Sequence, residues 1–374
     1  MIRTVSVEGA GVADLIPLWF GEPDAVTPGF IRDAAKRALD AGQTFYNSNY
    51  GIDPLRAAIN EYQSGLGRRS AFDRVCVTAS GVNAVMLACQ ALLDVSDRVV
   101  VVEPHWPNLV GIPRVLGAEV ATVPLRLNGE RADWSLDLDE LLAALSPGTR
   151  MVILNAPGNP TGWMLSREVL HILLAHCRRH GIWILADDVY ERMVFSGHAS
   201  PSFLDIAEPE DRVIGINSFS KSWSMTGWRL GWLTAPVALM AAFGKLSEFN
   251  VSCSPPFVQL AGVAALQQGE GFIAETVARY RDLRDLACAR LGAIEGVTVP
   301  VPNGAMYCFF AVAGCTDSLA LARRLLHAGR VGLAPGRAFG ASGEGCLRLC
   351  FAVEPDRLEQ ACARIAATLK REPQ

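Results

Sequence analysis

Between residues 75 and 234, short apolar runs alternate with stretches whose apolar positions recur every three to four residues. The runs at 75–78, 98–102, 119–123, 151–155, 182–187, 213–218 and 230–234 are predicted strands, and 82–93 and 166–180 are predicted amphipathic helices. Several of these strands are almost wholly apolar, as expected when both faces of a sheet are covered. The alternation implies a mainly parallel, doubly wound α/β sheet. Upstream, Thr27-Pro28 reads as an N-cap followed by proline at the first helical position, with a helix running to Ala41 and stopping at Gly42. After about Pro256 the pattern changes. Helical stretches at 258–267 and 272–291 precede short strands near 306–312 and 347–352, and a last helix covers 355–370. The expected architecture is α/β. A large domain over 26–270 holds a mostly parallel seven-stranded sheet sandwiched by helices, and a smaller α+β domain is formed by 1–25 and 271–374.

Composition narrows the function classes. The chain has 374 residues, 50% hydrophobic and 19% charged, which fits two packed domains and not disorder. A net charge of −4 and the absence of lysine/arginine runs argue against nucleic-acid binding. No apolar run reaches the roughly 20 residues that span a bilayer, so no membrane insertion is expected. The first 13 residues lack a basic stretch followed by an apolar one, so no secretory signal is expected and a cytoplasmic location follows. Ten cysteines without a C-x-x-C pair read as buried small hydrophobes of a reducing compartment. His176 and His180 share a helix face, but His-Glu-x-x-His is absent; they read as a hydrated helix end ahead of Gly181, and no metal is expected.

Three segments carry chemistry. In Ser218-Phe219-Ser220-Lys221 a lysine sits just past a buried strand, flanked by hydroxyl residues, and Arg229 follows eight residues later in Gly227-Trp228-Arg229-Leu230-Gly231. A lysine that forms a Schiff base must react as the free amine, and burial and nearby cations lower its pKa. Arg229 is suited to clamp a phosphate. Ser-x-Ser-Lys alone is equally compatible with a surface lysine in a polar loop; the downstream arginine segment favours the reactive reading. Asn155-Ala156-Pro157-Gly158-Asn159-Pro160-Thr161-Gly162 ends another strand, where ligands bind in parallel sheets. Asn159 there is a candidate hydrogen-bond partner for a cofactor oxygen. Ala186-Asp187-Asp188-Val189-Tyr190 ends a third. An aspartate in such a crevice can hold a pyridine nitrogen protonated, and Tyr190 is placed to bond a ring oxygen. Alone, Asp-Asp is more often a metal-ligand pair or a helix cap.

The order Asn-Pro-Thr-Gly, Asp-x-x-Tyr, Ser-x-Ser-Lys and arginine eight residues on resembles the class I/II aminotransferases, the aspartate-aminotransferase-like enzymes of pyridoxal-5′-phosphate (PLP) fold type I. The resemblance runs from Gly21-Glu22-Pro23-Asp24 to near Arg348. It implies PLP as cofactor and Lys221 as the catalytic lysine that carries it. It further implies that Ser80, Gly81 and Val82 form a phosphate cradle and that Ser218, Ser220 and Arg229 also bind the cofactor, and a helix N-terminus suits an anion on physical grounds as well. By the same resemblance Trp106 stacks on the ring, Asn159, Asp187 and Tyr190 hold it, and Tyr46 reaches the phosphate of a neighbouring subunit. The last point implies a homodimer with active sites shared between chains. Arg348 is implied to grip the substrate α-carboxylate, with Asn159, Gly21 and Phe20 also at the substrate.

The implied reaction transfers an amino group between an L-amino acid and a 2-oxo acid. Another PLP reaction on the same scaffold, such as β/γ-elimination, decarboxylation or cyclisation, uses the same cofactor residues. A PLP-sensing regulatory module is the alternative of another class, disfavoured because the motifs begin by Gly21 and leave no room for a preceding DNA-binding unit. For the substrate side chain, 236–272 contains no arginine and one basic residue, Lys245, which weighs against a dicarboxylate specialist. Trp19, Phe20, Trp163, Phe257 and Tyr307 are candidates for an apolar side-chain pocket or for core.

Overall fold

The computed structural model describes residues 1–128 and 132–370. Its large sheet is built from β1 (Val75–Thr78), β2 (Arg98–Glu103), β3 (Glu119–Asn128), β4 (Asp133–Leu136), β5 (Thr149–Asn155), β6 (Trp183–Asp187), β7 (Val213–Ser218) and β8 (Gly231–Thr234). The spatial order is β1-β8-β7-β6-β5-β2-β3-β4. Strands β7, β6, β5, β2 and β3 pair in parallel. Strand β8 is antiparallel to both its neighbours, so β1 points the same way as the parallel set. Both faces are covered: β1 and β7 are buried at every position, and β5 and β6 at all but one or two. This explains their near-continuous apolar sequence.

Each of the seven expected strands is present, but the sheet has eight. The eighth, β4, forms an antiparallel hairpin with an extended β3, pairing Leu125 with Leu136 and Asn128 with Asp133. Four residues that bury one large side chain, Trp134 against Phe309, make too short an alternation to stand out in sequence. A second correction concerns Thr27. The helix Gly29–Asp40 starts after Pro28 without a side-chain cap. The Thr27 hydroxyl instead donates to the Ser224 carbonyl (2.5 Å) and accepts from Trp228 Nε1 (2.9 Å), tying the helix start to the segment that follows Lys221.

The C-terminal part carries a four-stranded antiparallel sheet of β9 (Val297–Thr298), β10 (Tyr307–Val312), β11 (Ala334–Pro335) and β12 (Cys346–Cys350), in the order β9-β10-β12-β11. The helices Glu270–Gly292 and Pro355–Leu369 pack together beside it. The N-terminal segment is attached to this part. Ile16–Pro17 pairs in parallel with Val331–Gly332, Arg323 binds Glu8 (2.6 Å), and Arg364 binds Asp14. All ten cysteines are free thiols. Among the described residues, no helix is long and apolar enough to cross a membrane.

Because β1, β5, β6 and β7 run the same way, their carboxyl ends, at Thr78, Asn155, Asp187 and Ser218, share one edge of the sheet. The antiparallel β8 begins at that edge, with Gly231 between Thr78 and Ser218. A Cβ on Gly231 would stand 2.6 Å from Gly81 N, 2.7 Å from Ser80 C and 2.8 Å from Asn217 O. All three are backbone atoms with little freedom to move. Gly231→Ala is therefore expected to lower unfolding stability by about 1–3 kcal/mol, read as a lower urea midpoint; an unchanged midpoint would show that this edge has room to spare.

Candidate active site

A cavity of about 690 Å³ opens at the shared strand edge. Thirteen of the fifteen residues singled out in the sequence line it: Phe20, Gly21, Gly81, Val82, Trp106, Asn159, Asp187, Tyr190, Ser218, Ser220, Lys221, Arg229 and Arg348. Ser80 lies just behind, where its hydroxyl accepts from the Asn83 N–H (3.1 Å) and caps the helix Gly81–Leu92. Tyr46 is not in the wall and is 87% exposed on this chain.

Lys221 sits in a single turn, Phe219–Ser222, that leaves β7 with Ser218 as its cap. The Ser218 hydroxyl accepts from the Ser220 N–H (3.1 Å) and donates to the Ser220 hydroxyl (2.9 Å). Lys221 Nζ donates to the Gly21 carbonyl (2.6 Å), which brings the N-terminal segment onto the lysine. Gly21 has no substitute there, because a Cβ would overlap the Tyr307 hydroxyl at 1.8 Å. Loss of hydration pushes the Lys221 amine down to about 8, assisted by the Arg348 and Arg229 charges.

Asp187 ends β6 and is 2% exposed. Burial pushes its carboxyl up to about 7, against a hydrogen bond from the Val189 N–H (3.4 Å) and the attraction of Lys221. Asp188 faces the other way. Its carboxylate accepts from the Ser202 hydroxyl (2.6 Å), near the buried Arg68–Glu191 ion pair. Strand alternation thus separates two aspartates adjacent in sequence.

Arg348 is on the inner strand β12, opposite Phe309 and Ala334, and is 3% exposed. As structure alone it would have been an edge-strand surface charge, and it is neither at an edge nor at the surface. Its guanidinium lies between the rings of Tyr307 (4.5 Å) and Phe339 (4.7 Å). It donates to Asn159 Oδ1 (2.7 Å) and to the Trp19 carbonyl, leaving Nε buried without a partner. Asn159 is held in turn by Asn155, whose Oδ1 accepts the Asn159 N–H (2.8 Å) and whose Nδ2 donates to the Asp187 carbonyl (2.9 Å). The Tyr190 and Tyr307 hydroxyls are 2.6 Å apart. Arg229 adopts a left-handed conformation (φ 53°) and donates from Nη1 to the Thr226 carbonyl (2.6 Å).

Residues given no role by the sequence also line the cavity, among them Asn155, Arg337 and the N-terminal residues Met1 to Arg3, together with Tyr307, left open between pocket and core. Asn155 was legible as the last strand residue before its motif. Tyr307 was indistinguishable from core. Arg3 and Arg337 carry no local signal. Of the five aromatic candidates, Phe20 and Tyr307 line the cavity; Trp19, Trp163 and Phe257 pack into the hydrophobic core.

A family model described as aminotransferase class I and II matches residues 13–365. The chain belongs to that family. It is 35% identical to an aspartate aminotransferase of Pyrococcus horikoshii, over 99% of this chain and 95% of the relative. Among solved structures, it superposes with a TM-score of 0.90 on an aromatic aminotransferase of Pyrococcus horikoshii (31% identity, 98% of each chain). The TM-score is 0.93 on an alanine aminotransferase of Pyrococcus furiosus (26% identity, 99% and 96% covered). As a class I and II aminotransferase the chain is a PLP-dependent enzyme. The site fits that cofactor: a buried carboxylate without a bonded cation and a half-buried amine share one cavity, beside a helix N-terminus and an arginine for a phosphate. In cofactor-free aminotransferase, reductive alkylation of Lys221 should rise with pH to a midpoint near 8, well below the roughly 10.4 of a free lysine side chain. Peptide mass mapping across pH reads this; a Lys221 midpoint at the free-lysine value would contradict it.

Proposed function

We propose that this cavity transfers an amino group from an L-amino acid to a 2-oxo acid, with Lys221 as the catalytic base and cofactor lysine. The observation that carries the reading is the pairing in one cavity of the Lys221 amine and the Asp187 carboxylate, projected from adjacent strands. Bound there, PLP supplies an aldehyde that condenses with amines and a ring that accepts the electron pair of a broken Cα–H bond. Asp187 would hold the ring nitrogen with its carboxylate, and Tyr190 the ring oxygen with its hydroxyl. Asn159 and Trp106, in the same cavity wall, would hold the ring. Arg229, the Ser218 and Ser220 hydroxyls and the backbone from Ser80 to Val82 would hold the phosphate. Arg348 forks onto the substrate α-carboxylate; its aromatic sandwich and its bonds to Asn159 and Trp19 fix the guanidinium before substrate arrives. Lys221 Nζ, lowered to about 8 and so more readily the free amine than an ordinary lysine, would take the α-proton and hold it. Phe20, Gly21 and Tyr307 shelter the reacting atoms from water.

Family membership favours transfer over elimination, decarboxylation or a regulatory role. The exposed Tyr46 fits a homodimer in which it meets the partner's phosphate site. Ten free thiols support a cytosolic setting.

The charge balance of the cavity supports a substrate with a second carboxylate. Five basic side chains line it (Arg3, Lys221, Arg229, Arg337 and Arg348) against one acid, Asp187. A phosphate for Arg229 and an α-carboxylate for Arg348 leave Arg3 and Arg337. Neither makes a side-chain hydrogen bond or ion pair with the described residues. The cations that 236–272 lacks thus come from the two ends of the chain.

Lys221→Ala should abolish turnover and the borohydride-trappable attachment of the cofactor; full activity in that variant would refute the assignment. In a panel of amino donors with one fixed acceptor, Arg337→Ala should reduce kcat/KM for dicarboxylic donors roughly tenfold or more, the loss of a charged hydrogen bond of about 1.5–3 kcal/mol. Apolar donors should change less than about twofold by the same reasoning. An equal loss for both donor classes would remove Arg337 from substrate recognition.

A further inference from the structure

The strand that carries Tyr307 into the cavity presents a thiol on its other side. Cys308 follows Tyr307 in β10 and faces away from the site, as strand alternation requires. Its Sγ lies 3.8 Å from Sγ of Cys288, on the helix Glu270–Gly292. Cys308 is fully buried, whereas Cys288 is partly accessible. The two thiols are not equivalent. The hydrogen bond from Cys308, opposed by desolvation and helped by Arg284 one turn earlier, lowers the Cys288 pKa, while the same contact and burial raise that of Cys308. This is the asymmetry of an attacking and a resolving cysteine: a partly reachable, more acidic thiol in front and a protected thiol against it.

We propose that Cys288 and Cys308 form a peroxide-sensitive dithiol that closes to an intrachain disulfide. In the first step the Cys288 thiolate attacks one peroxide oxygen. The O–O bond breaks, the departing hydroxide takes up a proton to become water, and Cys288 is left as a sulfenic acid. In the second, Cys308 Sγ attacks Cys288 Sγ. The S–S bond forms, the S–O bond breaks, and hydroxide leaves with the Cys308 proton as a second water. Two thiols lose two electrons and one peroxide is reduced to two waters. The sulfur atoms must close from 3.8 Å to about 2.05 Å, within reach of side-chain rotation with a small shift of the helix. Trapping Cys288 as a disulfide keeps it from the irreversible sulfinic and sulfonic stages. The bond would also join the strand of Tyr307 to the helix behind it. The competing partner is the buried Cys362, on the helix Pro355–Leu369, whose thiol helps to raise that of Cys308 and is itself raised by Cys288.

The test uses the PLP-loaded enzyme, treated with hydrogen peroxide in native buffer, then unfolded and digested without reductant. The expected result is one disulfide-linked peptide pair joining Cys288 to Cys308, with two of the ten thiols lost to it and regained with dithiothreitol. Cys288→Ser should abolish the linked pair. Cys308→Ser should leave Cys288 as a sulfenic acid that dimedone captures. Both thiols remaining free, or Cys288 linked to Cys362, would overturn the proposal. The wild-type map alone decides between these outcomes, so a variant that fails to fold does not spare it.

Discussion

Parallel strands deliver their carboxyl ends to one edge, and everything at this site depends on that geometry. Side chains at Asn155, Asp187 and Ser218 come from segments far apart in sequence, yet register brings them side by side. The one antiparallel insertion preserves the arrangement. Strand β8 enters the sheet from the same edge, so the residues just before it, Arg229 among them, stand where the others finish. That is the physical reason for the eight-residue spacing between Lys221 and Arg229: the chain turns at the edge without crossing the sheet.

The edge is also where water is displaced. Asp187 and Lys221 are both shifted toward neutrality, chiefly by lost hydration, and neither is neutralised by a direct partner. A protein rarely tolerates this without a use for it. Burial raises Asp188 in the same way, up to about 8, but it and Glu191 hold polar partners. Glu191 is paired with Arg68, and Asp188 is bonded to Ser202. The unpaired groups face the cavity and the paired ones face away.

Much of this could be read from sequence because it is local. A strand end followed by a short polar motif exposes its chemistry within ten residues, which is why Asn159, Asp187, Tyr190, Lys221 and Arg229 were all legible. The antiparallel direction of β8 was not, since hydrophobic pattern carries no polarity. Nor was the rigid seat of Arg348, which needs Trp19, Asn159, Tyr307 and Phe339 from four distant segments. Thr27 looked like a helix cap because capping is the commonest local use of threonine before a helix; a tertiary partner, Ser224, claimed its hydroxyl instead. Tyr46 stands outside the wall of its own chain's cavity, and the chemistry expected of it requires a second subunit.

The cavity wall has two unequal halves. The part that suits PLP comes from strand ends locked in the large sheet. The other part comes from Met1 to Arg3, Phe20 and the short segment around Arg337 and Ala338. These pieces lie outside the large sheet, and the first belongs to a seven-residue helix with a single buried side chain. Mutations there can reshape what enters the cavity while leaving the cofactor's grip intact. Drift in the helix at the chain's start is then an inexpensive route by which one scaffold could come to accept different amino acids.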